Sequence, residues 1–223
     1  MNLGMITIGQ SPRTDIIPEI RDSLGFKVKI IEKGALDGLT FEEIKAYSPK
    51  STDLPLITRL KNGTEVKVAK KHLISRIKNC VKDLERRKVG AIVFLCTGEF
   101  PEIESNIIFL RPHKIMLNMV KGILEEGKLG IIVPSTLHLP MAKKKWARDN
   151  LKIFPGAVSP YTGTEKKIIA TASELKKCDV DLIILDCMGF NKQTKLLFKK
   201  IMQKPVLLPR AIIGRIVGEM IGL

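Results

Sequence analysis

Short apolar runs punctuate the chain at 4–8, 27–31, 91–95, 129–133, 181–185 and 205–208, and most segments between them carry apolar residues at helical spacing. Runs of this length, rich in Val and Ile, are what strands covered on both faces require. Their alternation with helices predicts an α/β fold with parallel sheets. Helices are expected at about 70–87, 112–126, 137–149, 164–177, 190–203 and 210–222, with a short one opened by the capping box Thr40-Phe-Glu-Glu43. One stretch breaks the pattern: around Asn62-Gly63 the flanks Leu56–Leu60 and Thr64–Val68 alternate as a β-hairpin does. It interrupts the first half of the chain and is placed to cover a cleft or an interface.

Each half carries its own set of strands. The pattern therefore predicts two pseudo-symmetric α/β domains, each a small parallel sheet flanked by helices, with a cleft between them. The first spans 1–111 and regains a C-terminal helix over 209–223; the second spans 112–208.

Two of the strands end on a thiol. Cys96-Thr97-Gly98 and Cys187-Met188-Gly189 follow the runs Ala91–Leu95 and Asp181–Leu185, and the cysteines lie 91 residues apart (187 − 96). Open α/β sheets bind ligands at the carboxyl ends of their strands, and a helix N-terminus there favours thiolate. Removing a proton next to a carboxylate needs a base near the carbon and donors for the developing enediolate charge. Racemisation needs a base on one face and an acid on the other. Two thiols fill both roles without metal or pyridoxal, provided one of them ionises, so one pKa must fall from its ordinary value near 8.5. Cys96 and Cys187 are the candidate acid/base pair, with Thr97, Gly98, Met188 and Gly189 as candidate substrate contacts. Asp186 either exchanges protons with Cys187 or opposes its ionisation.

The loop after the first strand, Gly9-Gln10-Ser11-Pro12-Arg13-Thr14-Asp15, lies on the same side of its sheet. Gln10, Ser11 and Arg13 are candidate binders of an anionic carboxylate, Arg13 by a two-pronged grip. Alternatively, Ser11 and Thr14 cap a helix whose first turn accepts Pro18.

Composition narrows the classes. With 223 residues, 44% apolar and 27% charged, the chain can bury an ordinary globular core. The first residues lack a basic leader and no run approaches the roughly 18 apolar residues of a membrane span, which predicts a cytoplasmic protein that does not enter a membrane. Cys80, Cys96, Cys178 and Cys187 form no C-x-x-C pair, and reduced thiols are expected, Cys80 and Cys178 as packing or surface groups. The net charge of +15 raises nucleic acid as a partner. Yet the lysines are spread along helices and aromatics are only 5%, which disfavours that class and leaves small anions. His72, His113 and His138 show no metal-ligand spacing, so no metal or other cofactor is called for; His138, after a strand, is placed to face the cleft. Gly9 opens no dinucleotide fingerprint, and Gly122–Leu129 lacks the hydroxyl residue of a phosphate loop and runs from helix to strand.

The segments Ile6–Arg13, Asn106–Pro112, Gly130–Pro134 and Leu185–Phe190 resemble the AroM family over nearly the whole chain. The resemblance implies no established activity. More distantly, the layout is similar to the aspartate/glutamate/hydantoin racemase superfamily, in which two α/β domains enclose a cleft with one cysteine from each. Cys96-Thr97 is similar to the Cys-Asn-Thr pattern there, but Gly98 follows and the Asn is missing. Cys187 is similar to the cysteine of Gly-Cys-Thr, with Asp186 for Gly and Met188 for Thr. The resemblance implies a cofactor-independent racemase, isomerase or lyase acting on a small carboxylate; a non-catalytic metabolite-binding or regulatory protein is the alternative. A homodimer is left open as the assembly.

Overall fold

The computed structural model describes residues 1–222. In chain order the elements are β1 (Asn2–Thr7), α1 (Ile17–Leu24), β2 (Lys29–Gly34), α2 (Phe41–Ala46), β3 (Pro55–Arg59), β4 (Glu65–Ala69), α3 (Lys70–Arg86), β5 (Ala91–Phe94) and β6 (Ile108–Leu110). The second half follows with α4 (Pro112–Ile123), β7 (Gly127–Val133), α5 (Leu139–Trp146), β8 (Leu151–Ala157), α6 (Glu165–Lys176), β9 (Leu182–Leu185), α7 (Lys192–Met202), β10 (Val206–Leu207) and α8 (Pro209–Ile221).

The strands form two parallel four-stranded sheets, β2-β1-β5-β6 and β10-β9-β7-β8. Read from β8, the second order repeats the first, with β7 for β1 and β9 for β5. The repetition extends to side chains. Gly4 on β1 packs under Leu84, Val89 and Ile92, where a Cβ would stand 2.9 Å from Leu84; Gly130 on β7 packs under Leu175, Val180 and Ile183, 2.8 Å from Leu175. These partners are related by the same offset of 91 as the cysteines (175 − 84, 183 − 92). Lys88 and Asp179, also so related, both take left-handed backbone (φ 54° and 46°) at the turn from helix to strand.

Both faces of each sheet are covered, which is why the strands read as continuous apolar runs. In the first half, Ile6, Ile92 and Phe94 meet Leu73, Ile77 and Leu84 of α3, while Leu3, Met5 and Val93 meet Ile17 and Ile20 of α1 and Ile213 and Val217 of α8. In the second, Ile132 and Ile183 meet α6 and α7, and Leu129, Ile131 and Ile184 meet Met116 and Val120 of α4 and Trp146 of α5. No helix of the described residues is long and apolar enough to cross a membrane.

Two strands escape the sequence pattern. β6 has three residues, too few for any period, and β8 contains Pro155-Gly156, which argues against a central strand. β8 is an edge strand paired to β7 alone, where proline is tolerated. Thr40 does build its capping box, exchanging bonds with Glu43. The hairpin is present as antiparallel β3 and β4. It leans on the loop after β1: the Gln10 N–H donates to the Arg59 carbonyl at 3.3 Å, and Lys61 N–H donates to Gln10 Oε1 at 3.2 Å. Gly9 permits this approach, since a Cβ there would collide with the Arg59 carbonyl and Thr58 Oγ1.

Candidate active site

A cavity of about 240 Å³ opens at the carboxyl ends of both sheets. Its floor is made by residues directly after four strands: Ile8 after β1, Leu95 to Glu99 after β5, Pro134 after β7 and Asp186 to Gly189 after β9. The hairpin supplies a wall through Pro55, Leu56, Ile57 and Thr58, and α5 supplies Met141, Ala142 and Lys145. The surface is mostly apolar, with a small set of polar groups gathered around the thiols.

Both cysteines line this cavity, and their loops are built alike. The Gly98 N–H points at Cys96 Sγ (3.3 Å) and the Gly189 N–H at Cys187 Sγ (3.4 Å). Neither thiol is favoured as thiolate. Burial pushes Cys96 up to about 12, against the pull of the Gly98 amide. Burial likewise pushes Cys187 up to about 11, with Asp186 adding to the rise and the Gly189 amide, Arg13 and Arg210 opposing it. The helix N-terminus expected to lower one of them is not there. Residues 97–107 form no helix, and α7 begins only at Lys192, its end capped by Asn191.

Asp186 does not serve Cys187 directly. Its carboxylate takes both oxygens' worth of hydrogen bonds from Lys145 Nζ (2.9 Å each), and Trp146 Nε1 adds a third at 2.8 Å. Lys145 also donates to the Thr97 carbonyl at 2.7 Å, while Thr97 Oγ1 donates to the Asp186 carbonyl at 3.0 Å. Thr97 therefore ties the first half to the second at the thiols.

The loop after β1 departs from expectation. Arg13 borders the cavity, but its two-pronged grip is on Asp15, from Nε and Nη2 at 2.8 Å each, and Nη1 donates to Thr7 Oγ1 at 2.8 Å. Ser11 is turned away and bound to Asp37 through its amide (2.7 Å) and hydroxyl (2.6 Å). Gln10 spends its side chain on the Leu36 and Leu39 carbonyls and on Lys61. Neither residue is on the cavity wall. Nor do Ser11 and Thr14 cap a helix: α1 starts at Ile17 with Pro18 in its first turn and no side-chain cap. Met188 is on the wall but packs with the core of the first half, offering backbone where a threonine would offer a hydroxyl.

Four polar residues of the site were not read from the sequence. Lys145 sits in a run of three lysines that resembles a solvated face; its neighbour Trp146, the only tryptophan and fully buried, was the available signal. Tyr161 follows the unrecognised β8 and receives a hydrogen bond from Arg13 Nη2 at 3.1 Å. Arg210, in the first turn of α8, grips the Met188 and Gly189 carbonyls at 2.8 to 2.9 Å and the Asp15 carbonyl at 2.7 Å. Thr58 Oγ1 is buried on the wall without a hydrogen-bond partner among the described residues. His138 faces the cavity as its position after β7 suggested; its Nδ1 has no partner among the described residues, and burial holds its pKa below the ordinary histidine value. Among the described residues no three His, Cys, Asp or Glu side chains are grouped to hold a metal ion.

A family model described as AroM protein matches residues 3–221. The chain belongs to the AroM family. No curated protein matches it. Solved structures share its fold. A glutamate racemase isoform from Bacillus anthracis superposes with a TM-score of 0.59 at 16% identity, covering 99% of this chain and 82% of the other. The maleate cis-trans isomerase of Nocardia farcinica gives 0.59 at 11% identity, covering 96% and 89%. An arylmalonate decarboxylase gives 0.57 at 12% identity, covering 98% and 92%. This AroM-family chain thus has the two-domain racemase-like α/β fold that its sequence suggested.

Proposed function

We propose that the chain is a cofactor-independent enzyme that moves a proton at the carbon next to a carboxylate, with Cys96 and Cys187 as the acid/base pair. The observation that carries this is the repeated Cys-x-Gly loop: two thiols at equivalent strand ends, each with its own glycine N–H, on the wall of one cavity. Such an arrangement offers a proton carrier from each half of the fold, which is what chemistry on two faces of one carbon requires. The fold's other occupants, named as a racemase, an isomerase and a decarboxylase of carboxylates, are compatible with that class.

The thiols set the energetic demand. With Cys187 at about 11, ionising it at pH 7 costs about 5 kcal/mol at about 1.36 kcal/mol per pH unit. Substrate binding has to supply that, by drawing the buried cations and amides closer to the sulfur. Proton NMR in D2O over a panel of amino, hydroxy and aryl carboxylates tests the reading. Exchange at the α-carbon that is lost in Cys96→Ala and in Cys187→Ala is expected; exchange that persists in both variants removes the thiols from the mechanism. A second reading, carboxylate binding without turnover, is favoured by the protonated state of both thiols. Its signature is a thermal shift with a carboxylate and no exchange.

A further inference from the structure

Arg13 looks like the anion clamp of this cavity, yet its charge is already met by Asp15, and Thr7 takes a further N–H. What Arg13 presents toward the cavity is a neutral group. Its Nη2 donates to Tyr161 Oη at 3.1 Å, and its guanidinium lies 5.6 Å from the centre of the tyrosine ring. The phenol oxygen is thus an acceptor, while its own hydrogen goes to no described residue. Burial pushes Tyr161 above the ordinary tyrosine pKa, so the phenol keeps that hydrogen at neutral pH.

The phenol is placed against the second thiol loop. A Cβ on Gly189 would stand 2.7 Å from Tyr161 Oη and Cζ, and the N–H of the same glycine faces Cys187 Sγ. Tyr161 is also held firmly. Ser159 Oγ accepts the N–H groups of Tyr161 and Thr162 at 3.0 Å each and donates to Glu65 of β4, which fastens the loop to the hairpin wall. A donor fixed in this way needs no reorganisation when charge develops beside it.

We propose that Tyr161 donates its phenolic hydrogen to one oxygen of a ligand carboxylate beside Cys187, with Arg13 and Asp15 as positioning residues that aim and polarise it. This rests on the carboxylate reading above and adds the group that receives the charge. A guanidinium donating into the phenol oxygen strengthens the phenol as a donor. The buried apolar wall of Leu56 and Ile57, with Met141, takes the remainder of the ligand. The lining lysines without a carboxylate partner among the described residues, Lys70 and Lys144, are half-buried and exposed respectively, so a carboxylate with an apolar arm fits the dry wall better than one with a second charge.

Tyr161→Phe tests the assignment, because it keeps the ring over Gly189 and removes only the hydroxyl. The probes are phenylacetate and succinate, measured by calorimetry and by α-proton exchange. Phenylacetate is expected to bind more tightly than succinate, and Tyr161→Phe to weaken it by about 10-fold or more, the scale of a hydrogen bond to a charged group. Exchange, where present, falls by about 10²-fold or more in kcat. With only two tyrosines in the chain, ¹³Cζ-tyrosine NMR supplies a direct readout. The resonance missing from Tyr161→Phe moves on adding phenylacetate and moves again in Arg13→Lys and Asp15→Asn, while that of Tyr47 stays. Unchanged affinity in Tyr161→Phe, a Tyr161 resonance indifferent to phenylacetate, or no binding of either probe overturns the assignment. Tight binding without exchange, or exchange that survives both cysteine variants, overturns only the thiol chemistry and leaves Tyr161 as the carboxylate donor.

Discussion

Replacing Asp186 with Ala should unfold the molecule more readily than almost any other single change in the site. Its side chain and that of Lys145 are 5% and 9% exposed, so the pair is dry. Without the carboxylate, the ammonium keeps one protein acceptor, the Thr97 carbonyl, and the indole N–H of the buried Trp146 keeps none. Breaking a buried ion pair from one side costs about 3–5 kcal/mol, and a buried donor left unmet costs about 1–3 kcal/mol. The lysine stem can bend toward the cavity mouth and recover part of its hydration. A loss of about 4 kcal/mol is expected for Asp186→Ala, a large share of the 5–15 kcal/mol that holds a typical domain. Lys145→Met should cost about 3 kcal/mol, because the carboxylate it strands still accepts from Trp146. The double variant Lys145→Met/Asp186→Leu should then be no worse than either single change, since matched apolar groups in a dry site are close to neutral. Urea unfolding at pH 7, read through the midpoint at constant slope and extended to the single variant Asp186→Leu, measures all four corners of the Lys145→Met/Asp186→Leu cycle. A single-variant loss under about 1 kcal/mol, or a double variant whose losses simply add, would refute the view that this pair is a coupled, desolvated unit.

Two further outcomes follow from the same geometry. Arg210→Lys replaces a fork spanning the Met188, Gly189 and Asp15 carbonyls with a single ammonium, so a loss of about 2–4 kcal/mol in urea is expected, together with altered iodoacetamide labelling of the Cys187 peptide, read by mass spectrometry in a Cys96→Ala background. Reactivity indistinguishable from that of Cys96→Ala alone would separate Arg210 from the thiol loop. The thiols also fix an alkaline limb. Their folded pKa values of about 12 and about 11 lie above the unfolded value near 8.5, so the native state binds more protons than the unfolded chain above that pH. Stability is fully present below about pH 8.5 and falls toward about pH 11 and 12, by up to about 1.4 kcal/mol per pH unit for each thiol. Cys96→Ala and Cys187→Ala should each flatten that limb in urea titrations between pH 8 and 10, and an unchanged slope in both would count against buried thiols.

The architecture was legible because parallel strands covered on both faces leave a trace of short apolar runs, and because the two cysteines end comparable strands in each half. β8 was not, since Pro155 and Gly156 carry the wrong local signal and only its edge position makes them tolerable. Missing β8 hid the loop after it, and with that loop Tyr161. The polar site was half legible for a related reason. A residue at a strand end announces itself by position, as Cys96 and Cys187 do, whereas Lys145 and Arg210 reach the site from helices and look like surface charge in one dimension. Arg210 did leave a trace. A cation in the first turn of a helix opposes the helix dipole, and here it is held by the carbonyls of the loop it serves. Ser11 and Arg13 differ in another way: sequence shows donors but not the internal acceptors, Asp37 and Asp15, that fold back to claim them.

That internal pairing bears on the chemistry. The two cations most deeply set in the cavity wall, Arg13 and Lys145, are each matched by a carboxylate of the chain itself, Asp15 and Asp186. The two remaining lysines of the lining, Lys70 and Lys144, form no ion pair among the described residues but are half-buried and exposed respectively, so under the proposed chemistry a resting carboxylate beside the thiols meets chiefly neutral donors and apolar contact. Strong attraction for the resting anion would deepen the ground state as much as the transition state and gain nothing in rate. Donors held in place by charge behind them act differently, because their contribution grows as charge gathers on the carboxylate oxygens during proton removal. Under the proposed chemistry, the departures from the amino-acid racemase pattern acquire a common sense. Asp186 in place of Gly neutralises and anchors Lys145, and Met188 in place of Thr withdraws a hydroxyl from the resting carboxylate. On that proposal, the site that results suits a carbon acid with an apolar arm and the charge that appears on it.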